Sequence, residues 1–169
     1  MSTSNKKSQY NVAKVMHWIV AFIAVLLLMS GWRAEELAPD SRLWFMMIHS
    51  GLGSLVFALM LFRWWWRRNH KLYSPRQWYK KPSMLLQWFF YPLLLIHPLI
   101  GVTQAAFNSY DVSAFGLVNF SALAAENEAL FAIFHKMHTI TALLLIFILF
   151  IHIADKSRRF FVEDSNEHL

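Results

Sequence analysis

The sequence predicts an all-α membrane protein, a bundle of four transmembrane helices, and three observations predict it. Only 15% of the 169 residues are charged while 57% are hydrophobic, whereas a soluble domain carries roughly 25% charged residues. Four stretches, roughly Val15–Trp32, Leu43–Trp66, Met84–Phe107 and Leu130–Ala154, are nearly free of charge and come near or exceed the roughly 20 apolar residues a helix needs to cross a bilayer. None of them sustains the period-two alternation of a membrane β-barrel.

The elements follow in order. Lys6, Lys7 and Lys14 precede the first apolar run. Its far end, Ser30-Gly31-Trp32-Arg33, lacks a small-x-small cleavage pattern, so the run reads as a retained span rather than a signal peptide. Ala38-Pro39-Asp40 breaks the chain before the second span, and Ser74-Pro75 and Lys81-Pro82 punctuate the loop before the third. Asn108-Ser109-Tyr110-Asp111 marks the exit towards the fourth. With no repeat or low-complexity tract, the chain reads as a single domain over residues 1–169. Trp32, Trp44, Trp64, Trp65, Trp66, Trp78 and Trp88 fall near span ends, where indole rings favour the membrane interface.

Charge sets the direction. Thirteen of the sixteen Lys and Arg lie in the N-terminus, the middle loop region (Arg63, Arg67, Arg68, Lys71, Arg76, Lys80, Lys81) and the tail (Lys156, Arg158, Arg159). Arg33, Arg42 and Lys136 alone fall on the other side. The positive-inside rule then places both termini in the cytoplasm. The net charge of +6 thus reads as topology and attraction to anionic headgroups, not nucleic-acid binding. The lack of cysteine excludes disulfides, thiolate-held clusters and covalent haem attachment.

Asp and Glu are missing from the span interiors, and the ionisable residues there are histidines: His17, His49, His97, His135, His138 and His152. Such residues are costly in a membrane and usually functional. His138 and His152 are fourteen residues apart, hence about 21 Å apart along a helix and only about 40° off the same face. The fourth span runs inward, so His138 is outer and His152 inner. His17, at the start of the outward first span, is inner; His49, at the start of the inward second, is outer. His17 therefore meets His152 at one level, and His49 meets His138 at the other.

Paired imidazoles in a helical bundle suit a haem, one on each axial side of the iron. Two such haems would make an electron wire across the bilayer. Zinc normally takes four ligands, and no carboxylate or thiolate is near to complete the set; proton relays in membranes usually include Asp or Glu. Both stay as alternatives, zinc or protons being what a haemless protein would move. Gly51 and Gly53 beside His49 would admit a flat macrocycle or a neighbouring helix. Arg63, Arg67 and Arg68 read first as positive-inside charges, and also as partners for haem propionates or quinone oxygens.

These residues resemble the bacterial cytochrome b561 family of dihaem membrane proteins over nearly the whole chain. His17-Trp18 resembles its first-helix His-Trp motif, and Met47-Ile48-His49-Ser50-Gly51-Leu52-Gly53, with the exit from Arg63 to Arg67, resembles its second helix. Tyr91 and Pro98-Leu99-Ile100-Gly101 look like the third-helix Tyr and Pro-x-x-Gly pattern, Phe115-Gly116-Leu117 like its outer loop, and His138 and His152 like the fourth-helix pair. Three features depart from the pattern: Gln87 stands where many members have His, the stretch Asp155–Arg159 replaces an Ala/His-rich one, and His97 is extra. His97 reads as a residue with a local hydrogen bond beside the Pro98 kink, a proton carrier being the alternative; His135 is an alternative ligand to His138.

The resemblance implies two noncovalent b haems, His49 and His138 holding the outer and His17 and His152 the inner, with electrons exchanged with membrane ubiquinone in a bacterial inner membrane. Its superoxide oxidases imply superoxide as the outer partner, oxidised to O2, with the outer haem edge near Arg33, Arg42 or Lys136. The outer acids Glu35, Glu36, Asp40, Asp111, Glu126 and Glu128 suit instead a basic redox protein. That favours the alternative, an electron-transfer subunit or anchor for a separate dehydrogenase or periplasmic protein. No catalytic residue is assigned.

Overall fold

A computed structural model describes residues 3–31, 33, 36–70 and 82–167, and side chains except those of residues 3–6, 82, 83, 87 and 159–167. Outside it lie Trp32, Glu35, Lys71, Ser74, Pro75, Arg76, Trp78, Lys80, Lys81 and His168, and the side chains of Lys6, Gln87 and Arg159. Four long helices carry the fold: α1 (Thr3–Gly31), α2 (Pro39–His70), α3 (Pro82–Ala106) and α4 (Glu128–Glu167). Each contains a stretch long and apolar enough to cross a membrane. Phe22, Met29 and Phe150 are about two-thirds exposed (67%, 70% and 70%), which water would penalise and lipid does not. The chain is an all-α, four-helix membrane protein.

Local chemistry accounts for the helix ends. Pro39 opens α2 with its fixed φ and no wasted donor, the Arg42 N–H bonds the Ala38 carbonyl at 2.8 Å, and Asp40 lies in the first turn. Arg67, Arg68 and His70 lie in its last turn, where cations complement the helix dipole. Asn127 caps α4, its Oδ1 accepting the Leu130 N–H at 3.0 Å. Pro92 and Pro98 both sit inside α3, which continues through them. α1 and α4 overrun their apolar runs into polar termini that contain no Pro or Gly to stop them.

Packing is uneven. The closely packed helix pairs are α3 with α4, α1 with α2, and α2 with α3; among the described residues α4 stands off from α1 and α2. Val20, Val56, Met60 and Tyr91 form the buried centre, flanked by Ile23, Leu27, Leu59, Leu94 and Leu95.

The α3–α4 connection folds over the helix ends on the His49 side, which the charge pattern expects to be the outer side. It contains a two-residue hairpin, β1 (Ser113–Ala114) with β2 (Val118–Asn119), and a 3₁₀ turn at Ser121–Leu123. The Leu117 N–H bonds the Ala114 carbonyl at 2.9 Å across Phe115 (φ 50°) and Gly116 (φ 72°), the handedness that tight hairpin turns require. Ser50 Oγ donates to the Ser113 carbonyl at 2.7 Å, and the Phe115 N–H donates to the Met47 carbonyl at 3.2 Å. The hairpin is thereby fastened to α2.

Candidate functional site

The histidines meet in two pairs. The rings of His17 and His152 have centroids 6.4 Å apart, and those of His49 and His138 6.5 Å apart. An imidazole–metal bond of about 2.0 Å, with the nitrogen about 1.1 Å from its ring centre, puts two rings on opposite sides of one metal about 6.2 Å apart. Both pairs stand at that separation, and in each the ring planes cross steeply, at 70° and 68°. Each pair also bridges helices that do not pack closely, α1 with α4 and α2 with α4. Among the described residues no group of three or more His, Cys, Asp or Glu converges as a metal cluster. The donor set is pairs of imidazoles, which suits a haem iron.

The outer level is prepared in detail. Ser30 Oγ lies 3.2 Å from His49 Nδ1 and gives its own proton to the Leu27 carbonyl at 3.0 Å. A hydroxyl has one proton, so this oxygen accepts, and His49 carries its hydrogen on Nδ1. Nε2 is left as a bare lone pair, the arrangement metal-ligating histidines usually show. Gly53, one turn further along the face of His49, borders open space: a Cβ there would meet nothing within 4 Å. Gly51 differs, because the Phe115 ring lies on it, 2.5 Å from where a Cβ would be. The outer loop, not a helix, takes up that glycine. Gly101 seats His138, whose Cε1 would be 3.0 Å from a Cβ at that position.

The inner level is built differently. Arg63 places a guanidinium nitrogen 3.1 Å from His17 Nδ1 and donates through Nε to the Tyr91 hydroxyl at 3.2 Å. Arginine only donates, so here His17 Nδ1 accepts and its proton sits on Nε2. To offer Nε2 to a metal, His17 needs Arg63 to release Nδ1. Arg63 keeps Tyr91 as a second partner, and Arg67 lies 4.9 Å above the Trp88 ring. His152 meets the edge of Phe90 at 5.6 Å and 82°.

The remaining histidines have other neighbours. His135 Nδ1 lies 3.1 Å from Gln104 Nε2, and its ring stacks on Phe131. It is His138, not His135, whose ring the structure brings to His49. The hydrogen bond of His97 is not local: it reaches Thr141 on α4 at 2.7 Å, and the ring stacks on His138 at 4.0 Å. His70 stacks on Trp66 at 3.9 Å. Of the outer cations, Arg33 is paired with Glu36 at 3.0 Å and Arg42 donates to the Leu37 carbonyl at 3.3 Å, while Lys136 is exposed.

Reasoning from the histidines alone misses Ser30 and Thr141. The fourteen-residue offset that relates His138 to His152 comes only near the first. On α1 it leads from His17 to Gly31, beside Ser30, at the height of His49; on α2 it leads from His49 to Arg63, at the height of His17.

Comparison with curated proteins gives no match. Residues 9–155 match the prokaryotic cytochrome b561 family, a stretch that begins before His17 and ends after His152. The chain belongs to the prokaryotic cytochrome b561 family, membrane proteins that transfer electrons by means of haem b.

Proposed function

We propose that this chain holds two b haems and carries electrons from superoxide at the outer face to ubiquinone in the bacterial inner membrane. His49 and His138 grip the outer haem and His17 and His152 the inner one. Two superoxide anions give up two electrons and leave as two O2, and one ubiquinone takes two electrons and two protons to become ubiquinol. The observation that carries the haem assignment is the near-equal ring separation, 6.4 and 6.5 Å, at two heights.

Held by these imidazole pairs, each haem would supply a one-electron store. The chain's own groups do the rest. Ser30 orients His49 and keeps its Nε2 bare; Gly101 and Gly53 leave room for ligand and macrocycle. Arg63 and Arg67, fixed on Tyr91 and Trp88, gather positive charge beside the inner pair for propionates or quinone oxygens. The termini, with most of the cations, face the cytoplasm.

One observation favours a second reading. On the outer face the acids outnumber Arg33, Arg42 and Lys136, and Arg33 is paired with Glu36, so the net charge there does not draw a small anion. That surface suits a basic redox protein, with the chain acting as the electron-transfer subunit or anchor of a separate dehydrogenase. Rapid mixing of the haem-loaded protein with superoxide and a soluble ubiquinone separates the two. Accelerated loss of superoxide coupled to ubiquinol formation supports superoxide oxidation; no acceleration with full haem loading supports the subunit. The ligand assignment has its own test. His138→Ala should remove one haem and His152→Ala the other, and two variants that both keep two haems with unchanged spectra would end it.

A further inference from the structure

We infer that His97 is a positioning residue for His138, holding that imidazole plane across the plane of His49. The inference rests on the reading that His49 and His138 share one haem iron. The His97 and His138 rings lie face to face, 4.0 Å apart and 17° from parallel. The His138 ring crosses that of His49 at 68°. The edge of the same ring rests on Gly101, one helical turn beyond His97 on α3, with Cε1 3.0 Å from where a Cβ would stand. One face and one edge of His138 are therefore held by a single helix.

His97 is itself held. Its Nδ1 lies 2.7 Å from Thr141 Oγ1. The Thr141 hydroxyl directs its proton to the carbonyls of Met137 and His138, at 2.9 and 3.0 Å, so Oγ1 accepts and His97 Nδ1–H donates. The contacts close a loop: from the His138 backbone to Thr141, to His97 and back to the His138 ring. At the inner level His152 meets the edge of Phe90 at 82° instead of a parallel face. The clamp belongs to the outer pair.

The angle between two axial imidazole planes sets the splitting of the iron d orbitals. Crossed planes move the lowest-field electron paramagnetic resonance feature of low-spin ferric haem further down-field. The test uses the full chain in detergent with its haems loaded, and the outer feature is identified as the one lost in His138→Ala. His97→Ala is expected to broaden that feature or return it up-field, and to release outer haem to apomyoglobin at least about 10-fold faster. His97→Phe keeps a flat ring on His138 but loses the hydrogen bond to Thr141, and is expected to fall between wild type and His97→Ala in both readouts.

A His97→Ala spectrum that superimposes on the wild type, with unchanged haem release, overturns the inference. If His97→Ala loses the outer haem outright, Thr141→Val decides: a broadened feature supports the clamp and a superimposable one overturns it. Persistence of the feature in His138→Ala overturns the ligand assignment, and the clamp with it.

Discussion

The hydroxyl of Ser30 stands 3.2 Å from Nδ1 of His49, with its own proton committed to the Leu27 carbonyl. This contact from α1 to α2 assigns the tautomer of His49 and leaves its other nitrogen without a hydrogen. Ser30→Ala leaves Nδ1–H without that acceptor. Outer-haem affinity should fall about 10- to 100-fold, the usual effect of removing the partner of a metal-bound histidine. Haem transfer to apomyoglobin measures it, and Ser30→Thr, which keeps the hydroxyl, should restore most of the loss.

Gly101 is required for the room it leaves. A methyl group there would stand 3.0 Å from Cε1 and 3.3 Å from Nδ1 of His138, on a helix backbone with little freedom to retreat. Gly101→Ala should cost about 1–3 kcal/mol through overpacking. The loss should appear as weakened haem retention in the outer site, while the inner haem spectrum stays as it is.

Gly51 and Gly53 should part company. A Cβ at Gly51 would fall 2.5–2.6 Å from three atoms of the Phe115 ring, whose backbone is tied to Met47. Gly51→Ala should therefore loosen the hairpin and expose the loop to limited proteolysis. Gly53→Ala adds a methyl to open space and should be tolerated, whereas Gly53→Leu fills the cradle beside His49 and should exclude the outer haem. Haemochrome content and proteolysis rates of the three variants check this.

The guanidinium of Arg63 lies within hydrogen-bond reach of His17. A positive charge beside an axial ligand favours the reduced, less positive iron. Arg63→Met should lower the midpoint potential of the inner haem and leave the outer one in place. A redox titration that resolves the two haems measures the shift, and Arg63→Lys, which keeps the charge, should move the potential less.

Much of the fold was legible because it is periodic. The four apolar runs follow from composition, and the pairing of His138 with His49 and of His152 with His17 follows from rise per residue and helix direction. The outer hairpin was not: two-residue strands carry no pattern, and the positive φ of Phe115 is unusual for a bulky residue. Ser30 and Thr141 were hidden for another reason. A hydroxyl in a span usually bonds its own helix, as both do, and its second bond depends on which helix stands beside it. His97 shows the same limit, since its place beside Pro98 suggests a local partner and the actual one lies on α4.

The most direct measurement is the haem-to-protein ratio of the purified chain by pyridine haemochromogen, read as the α-band of the reduced adduct. Two imidazole pairs at two heights predict two b-type haems for each chain. A ratio of one, or a colourless folded preparation that takes up no added haemin, would contradict the account.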